Sequence, residues 1–270
     1  MKNEIDTLKP DIMSQRPIVL AVETSSRIGS VALALGGEIL AETLFSTPLM
    51  HSAEIFPAIT ALLKRAKLKP GQIEHVYISA GPGSFTGLRI AVTLAKIMHL
   101  ANAVKVIAVD TLDVIAYNVV DYIGENVDTN RQSGKSKDSV EKIAIILDAK
   151  RGQFFTAVYN CCFYEADLQN AVFCKHFKKA SPDSLMSASE VIAEFAEMGK
   201  PIWLLGDGLV YHKDKFKSQG VCFFEQKYWS PRANKVHRLG WQLAGKGMFT
   251  DPVDLKPLYL RRPDVKIRPR

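Results

Sequence analysis

The sequence predicts an α/β chain of two duplicated lobes, each running βββαβαβα, and three observations carry that prediction. At 270 residues the chain is longer than one hydrophobic core usually serves, so two lobes are expected. The order of apolar alternation, turn signals and helical periodicity in the first half is repeated in the second. Corresponding turns also match. In both halves a first apolar run ends in an acid (Glu23, Asp148), and a later run enters a Gly-x-Gly, Gly81–Gly83 and Gly206–Gly208. Two similarly built lobes facing each other create a cleft at their junction, and these turns are expected to face it.

In the first half, Ile18–Glu23 is a short apolar run and Ile28–Leu35 alternates. Gly36 and Gly37 then supply a tight hairpin before Glu38–Phe45. Ser52 is read as the cap of a helix with Ile55, Ile59, Leu62, Leu63 and Ala66 on one face, closed by Lys69, Pro70 and Gly71; Pro57 is expected to delay or kink it. His75–Ser79 reads as a buried strand, Leu88–Ala101 as a helix, Val104–Val109 as a strand and Thr111–Tyr122 as a helix. In the second half the strands are Ile143–Asp148, Gln153–Asn160, Ala171–His176, Ile202–Leu205 and Val221–Phe224, and the helices are Ser187–Met198 and Arg232–Gly245. The expected division is an N-terminal tail (1–16), an N-terminal lobe (17–122), a charged surface loop (123–142), a C-terminal lobe (143–250) and a basic C-terminal tail (251–270).

Composition removes several classes. With 47% apolar and 23% charged residues the chain is an ordinary globular one, not disordered or collagenous. Its longest apolar stretches fall far short of the roughly 20 residues a membrane helix needs. Met1–Arg16 alternates charges and lacks the apolar core of a signal peptide, so a cytoplasmic protein without membrane contact is expected. Four cysteines, with no Cys-x-x-Cys and no paired histidines, offer neither a disulfide scaffold nor metal spacing. The net charge of +7 looks like a nucleic-acid signal until it is located: six basic residues lie between Lys256 and Arg270 against Asp264 alone, and such a tail reads as a solvated end.

The Gly81–Gly87 turn follows a strand and opens a helix, with Asp110 closing the next strand, which imitates a dinucleotide-binding unit and opens the alternative of an NAD(P)-dependent oxidoreductase. Against it, a three-strand meander precedes the turn, and Pro82 lacks the N–H that a phosphate cradle would use. No nucleophile elbow or zincin helix supports a hydrolase, so no catalytic residue and no metal ligand is assigned. The helix from Leu88 is apolar nearly all round, leaving only Arg89, Thr93 and Lys96 with His99 as a polar stripe, so it is expected to meet both the sheet and a neighbour. Arg89 in its first turn opposes the helix dipole and needs a partner, either a carboxylate of its own chain, a partner chain or a phosphate.

The segments Ile18–Ser26, His51–Pro57, Gly81–Arg89, Asp148–Gly152 and Gly206–Gly208, in that order, closely resemble the TsaB (YeaZ) family. The resemblance implies an actin/Hsp70/sugar-kinase-like (ASKHA) fold. It also implies a non-catalytic partner subunit in forming threonylcarbamoyladenosine beside the anticodon of tRNAs that read codons starting with A, in the bacterial cytoplasm. Catalysis would lie in a TsaD-like subunit that forms a heterodimer with this chain, and a TsaE-like ATPase would join them. A homodimer of the chain alone stays open, as does a peptidase M22-like activity, a label the family has carried. Contact with tRNA would be indirect or weak. No cofactor is required, and ATP or ADP would bind weakly at most, at the cleft turns (Thr24, Ser25, Gly81, Gly83, Gly206, Gly208) or the partner interface. The partner-binding surface would be the first two long helices, with His51, Ile55, Ile59, Arg89, Ile90, Leu94, Ile97 and Met98. Two features depart from the family pattern: Glu23 stands where relatives usually carry Asp, and 124–141 looks like an insertion.

Overall fold

The computed structural model describes residues 16–123, 125, 140–162 and 176–261. The N-terminal tail save Arg16, most of the 123–142 loop, the expected strand Ala171–His176 save its last residue, and the tail beyond Arg261 lie outside the described residues. Strands β1 (Ile18–Glu23), β2 (Ser30–Leu35) and β3 (Glu38–Leu44) form the antiparallel meander that the alternation and the Gly36–Gly37 turn call for. Helix α1 (His51–Arg65), β4 (Ile73–Gly81), α2 (Phe85–Asn102), β5 (Lys105–Asp110) and α3 (Thr111–Ala116) complete the first half. Strands β4 and β5 add in parallel beside β1, giving the order β3-β2-β1-β4-β5.

The second half repeats this plan. Strands β6 (Lys142–Asp148), β7 (Gln153–Cys162) and β8 (His176–Lys179) are antiparallel neighbours, β9 (Ser184–Ser187) also pairs with β7, and α4 (Ala188–Phe195) follows. Strand β10 (Ile202–Leu205), helix α5 (Leu209–His212), β11 (Val221–Phe223) and α6 (Ala233–Gly245) end it. The order β11-β10-β6-β7-β8 mirrors the first sheet strand for strand.

All six residues of β1 are buried, as a strand covered on both faces requires. Alternation divides them. Ile18, Leu20 and Val22 join a core with Ile55, Ile59, Leu62 and Leu63 of α1 and Ala91, Leu94 and Ala95 of α2, whereas Val19 and Ala21 join one with Tyr77, Ile107, Ala233 and Val236. The latter core corrects the lobe assignment of the last helix. Helix α6, expected with the C-terminal lobe, lies on the first sheet: Ala233 N donates to Ser30 Oγ at 2.8 Å, His237 Nε2 is 2.8 Å from Gly36 O, and a Cβ on Gly240 would reach the Tyr77 ring at 2.5 Å. Its apolar stripe is satisfied by either sheet, so periodicity alone could not choose.

Helix α3 sits between the lobes, with Val114 in the first-lobe core and Leu112 and Ile115 in the second. Beside it Lys179 of β8 pairs with Asp110 (3.6 Å), Asp113 (3.1 Å) and Asp183 (2.6 Å), and Tyr159 Oη donates to Asp113 at 2.6 Å.

Helix boundaries differ from expectation for local reasons. Helix α1 begins at His51 with Met50 as its cap residue, not Ser52; Glu54 instead accepts from Ser46 N (2.6 Å) and Thr47 N (2.8 Å), fixing the entering loop. The helix passes through Pro57, because Ile55, Ile59, Leu62 and Leu63 are buried beneath the sheet on either side of it. Helix α2 starts three residues early, at Phe85, capped by Ser84 Oγ, which accepts from Gly87 N. Helix α4 has the Ser187/Glu190 capping box but stops at Phe195. Among the described residues no helix is long and apolar enough to cross a membrane.

Candidate functional site: an interlobe cleft and an apolar helix groove

The β1–β2 loop, the Gly83–Thr86 turn, the β6–β7 turn, Asp207 and the chain segment Leu258–Arg261 enclose a cleft of about 770 Å³ at the junction of the lobes. Of the cleft-turn residues expected from sequence, Ser25 and Gly83 line it, while Thr24, Gly81, Gly206 and Gly208 do not. Thr24 is fully buried and its hydroxyl donates to Gly87 O at 2.7 Å; Ser84 N donates to Ser25 O at 2.7 Å. The loop is thereby tied to the start of α2. Glu23 is fully buried as well, its carboxyl pushed up by desolvation while it accepts from Ser25 N and Ser25 Oγ, each at 2.5 Å, and from Ser79 Oγ. Its longer side chain is folded into its own turn, away from any ligand in the cleft.

The glycines permit close backbone approach. A Cβ on Gly83 would sit 2.3 Å from Ser25 O and one on Gly87 1.8 Å from Thr24 O, and one on Gly206 would meet Ile146 O at 2.2 Å. These glycines thus serve close approach of the chain to its own carbonyls at the turns.

The Asp148–Arg151 turn and Asp207 line it too, as the matching turns of the second half led one to expect, whereas Arg27, Tyr211 and Leu258–Arg261 were not singled out by the sequence reading. Arg27 crosses the cleft: its N–H donates to Asp207 Oδ2 at 3.3 Å and its guanidinium lies 4.5 Å from the Tyr211 ring centroid. Burial, with the nearby charges of Asp148 and Glu23, pushes Asp207 up to about 6. Asp148 goes the other way. Burial opposes its ionisation, but Lys150 donates from its backbone N (2.7 Å) and Nζ (2.6 Å) and holds it below the usual range. On the facing wall Arg261 donates to Ala149 O (2.6 Å) and Lys150 O (3.4 Å) and to Gln153 Oε1. So the start of the presumed solvated tail is structural. Its signal was present in Leu258, Tyr259 and Leu260, apolar residues set among Lys256 and Arg261. Arg27, Lys150, Arg151 and Arg261 suit an anionic guest, while Asp148 and Asp207 oppose one. Among the described residues no group of three or more His, Cys, Asp or Glu side chains is placed to hold a metal ion.

The eight expected partner-binding residues separate into two sets. His51, Ile55, Ile59 and Leu94 are buried in the first lobe. His51 Nε2 is 2.9 Å from Ser26 O, and burial lowers its pKa, so it is a neutral strut for the cleft loop. Arg89 and Ile97 are exposed and Ile90 and Met98 half-buried. Arg89, Ile90 and Ile97 line an apolar groove of about 380 Å³ between α1 and α2, whose floor is Ile55 and Leu94. Phe56, which the sequence reading missed because it falls off the α1 stripe, stands 61% exposed on its rim with Ile97 at 56%. Among the described residues no carboxylate pairs with Arg89: it lies 3.8 Å above the Phe85 ring and donates from Nε to Tyr259 Oη at 3.3 Å.

A sequence model of the TsaD family, described as tRNA N6-adenosine threonylcarbamoyltransferase, matches residues 46–162, less than half of the chain. The tRNA threonylcarbamoyladenosine biosynthesis protein TsaB of Bacillus subtilis is 28% identical over 93% of this chain and 96% of its own length. The protein of the same name from Escherichia coli is 23% identical over 90% and 94%. The structure of YeaZ from Pseudomonas aeruginosa superposes with a TM-score of 0.66 at 20% identity, covering 90% of this chain and all of that one. The chain is thus similar in sequence to these TsaB proteins over nearly their full length, and its duplicated two-sheet fold is that of YeaZ.

Proposed function

We propose that this chain is a non-catalytic subunit in the synthesis of tRNA threonylcarbamoyladenosine in the cytoplasm, and that it binds and supports a TsaD-like subunit that performs the transfer. The observation that carries the partner reading is the groove between α1 and α2. Phe56, Phe85, Ile90 and Ile97 form a partly exposed apolar strip with Arg89 on its edge, on a face left uncovered in the chain alone. An amphipathic helix of a structurally similar subunit suits such a groove. The non-catalytic reading is supported by the cleft itself, whose carboxylates are engaged by Arg27 and Lys150 and whose lining has no histidine. The chain requires no cofactor of its own, and ATP or ADP binds its cleft weakly at most, because Asp148 and Asp207 face the space a phosphate would enter. A TsaE-like ATPase joins the complex through the family resemblance, tRNA is contacted weakly or through the partner, and a homodimer of the chain alone stays open.

The test is co-elution of the purified chain with a TsaD-like subunit from the same cell. Phe56→Glu and Ile97→Glu are each expected to weaken that association at least tenfold, about 1.4 kcal/mol, while leaving the melting temperature of the chain alone nearly unchanged. Unaltered association in both variants would move the interface elsewhere. Modification of tRNA by the chain alone, given the activated threonylcarbamoyl donor, would overturn the non-catalytic reading.

A further inference from the structure

Beyond α6 the chain runs along one flank of α2 and then crosses between the lobes. Lys96 Nζ donates to Val253 O at 3.1 Å and Leu255 is buried in the first-lobe core. Leu258 N donates to Ala80 O at 2.7 Å, and the Tyr259 ring packs on Phe85 with centroids 5.2 Å apart while its hydroxyl accepts from Arg89. Two residues later the Arg261 guanidinium holds Ala149 O, Lys150 O and Gln153 Oε1 of the β6–β7 turn. The first lobe is shaped to receive this segment. Gly81, at φ +124°, would carry its Cβ 2.5 Å from Leu258 O, so only glycine lets the segment lie where it does. The anchorage is uneven: Val253, Leu255, Leu258 and Tyr259 fasten the segment to the first lobe, whereas on the second Leu260 packs half-buried against the core and Arg261 is the polar attachment among the described residues.

We propose that Val253–Arg261 is a clasp between the lobes, which fixes the width of the cleft and holds the first turn of α2. Phe85 and Thr86 line both the cleft and the groove, so the clasp bears on two sites at once. Widening the cleft must either break the Arg261 fork or pull on Tyr259, and through Tyr259 on Phe85 and Arg89. The release point is the Leu260–Arg261 end, because a half-buried leucine and one guanidinium give way before a backbone hydrogen bond backed by a buried leucine. This inference is independent of the partner reading, since it concerns the chain alone.

Hydrogen exchange on the full-length chain tests it. Arg261→Ala is expected to speed exchange about tenfold or more in both the 147–154 turn and the 83–90 segment, with β1 and β2 unchanged. Arg261→Lys, which keeps the charge but not the planar fork, should fall between the two. Gly81→Ala attacks the other end and should loosen 255–261 together with 83–90. Exchange at 83–90 equal to that of the parent chain in Arg261→Ala, or an equal rise in every segment including β1, would overturn the clasp. Should Gly81→Ala fail to fold, the two Arg261 variants decide the matter alone.

Discussion

At the scale of single residues, two positions make sharp demands. Gly87 lies in the first turn of α2, where its Cα faces Thr24 O so closely that a methyl group would stand 1.8 Å from that carbonyl. Neither backbone can yield without moving the cleft loop, so Gly87→Ala is expected to cost about 1–3 kcal/mol or more, read as a lowered denaturation midpoint. A variant as stable as the parent would show that the loop tolerates displacement. Asp110 makes the second demand. Burial, a hydrogen bond with Asp183 and the charge of Asp113 raise it from 3.8 to about 8, with Lys179 opposing. Between these values the folded chain therefore holds a proton that the unfolded chain has released, and the stability Asp110 contributes is fully present below pH 3.8 and lost as pH rises through about 8. Asp110→Asn keeps an acceptor for Leu112 N and Asp113 N, so its stability should vary less over that window. Equal slopes in parallel urea titrations would refute this. Neither demand was legible in the sequence, where Gly87 ended a glycine pattern and Asp110 closed a strand; each depends on a neighbour brought from a distant part of the chain.

At the scale of elements, α2 illustrates what periodicity reveals and conceals. Its apolar positions correctly mark a helix meeting more than the sheet, but they do not separate Leu94, 6% exposed, from Ile97, 56% exposed. Leu94→Ala should cost about 2–5 kcal/mol as a cavity opens beneath the sheet. Ile97→Ala should stay within about 0.5 kcal/mol in the chain alone. Comparable losses in thermal melts would mean that the two faces have been misassigned. Strands β1, β2, β4 and β5 were legible because alternation and flanking glycines act locally, and the helix boundaries were less so because they depend on caps. Ser84 captures Gly87 N and lengthens α2, while Glu54 secures the loop ahead of α1 and leaves Ser52 no capping task. The groove was half legible: Ile55, Ile90, Leu94 and Ile97 of its lining stand on the helix pair named from sequence, but the places of Phe56 and Tyr259 depend on how α1 and the segment after α6 lie against α2.

At the scale of the whole molecule, the duplicated plan was readable from element order, whereas the exchange of a helix between halves was not. Because α6 covers Val19, Ala21 and Tyr77, the first half is not self-sufficient. A fragment ending before Ala233 should leave that apolar face bare, and is expected to aggregate or to lack a cooperative melt. Adding a peptide of residues 233–245 in trans should restore the transition; a cooperatively folding 16–232 fragment would contradict this. The same placement orders events on the ribosome. The first lobe is translated first, yet the helix that seals one face of its sheet is among the last described elements to leave the exit tunnel. The second lobe has all its own strands in hand before the first can close, so vectorial synthesis completes the lobes in the reverse of the order in which they are encoded. During that interval Val19, Ala21, Ala32, Ala34 and Tyr77 are a sticky nascent surface, and shielding it falls to whatever holds the growing chain.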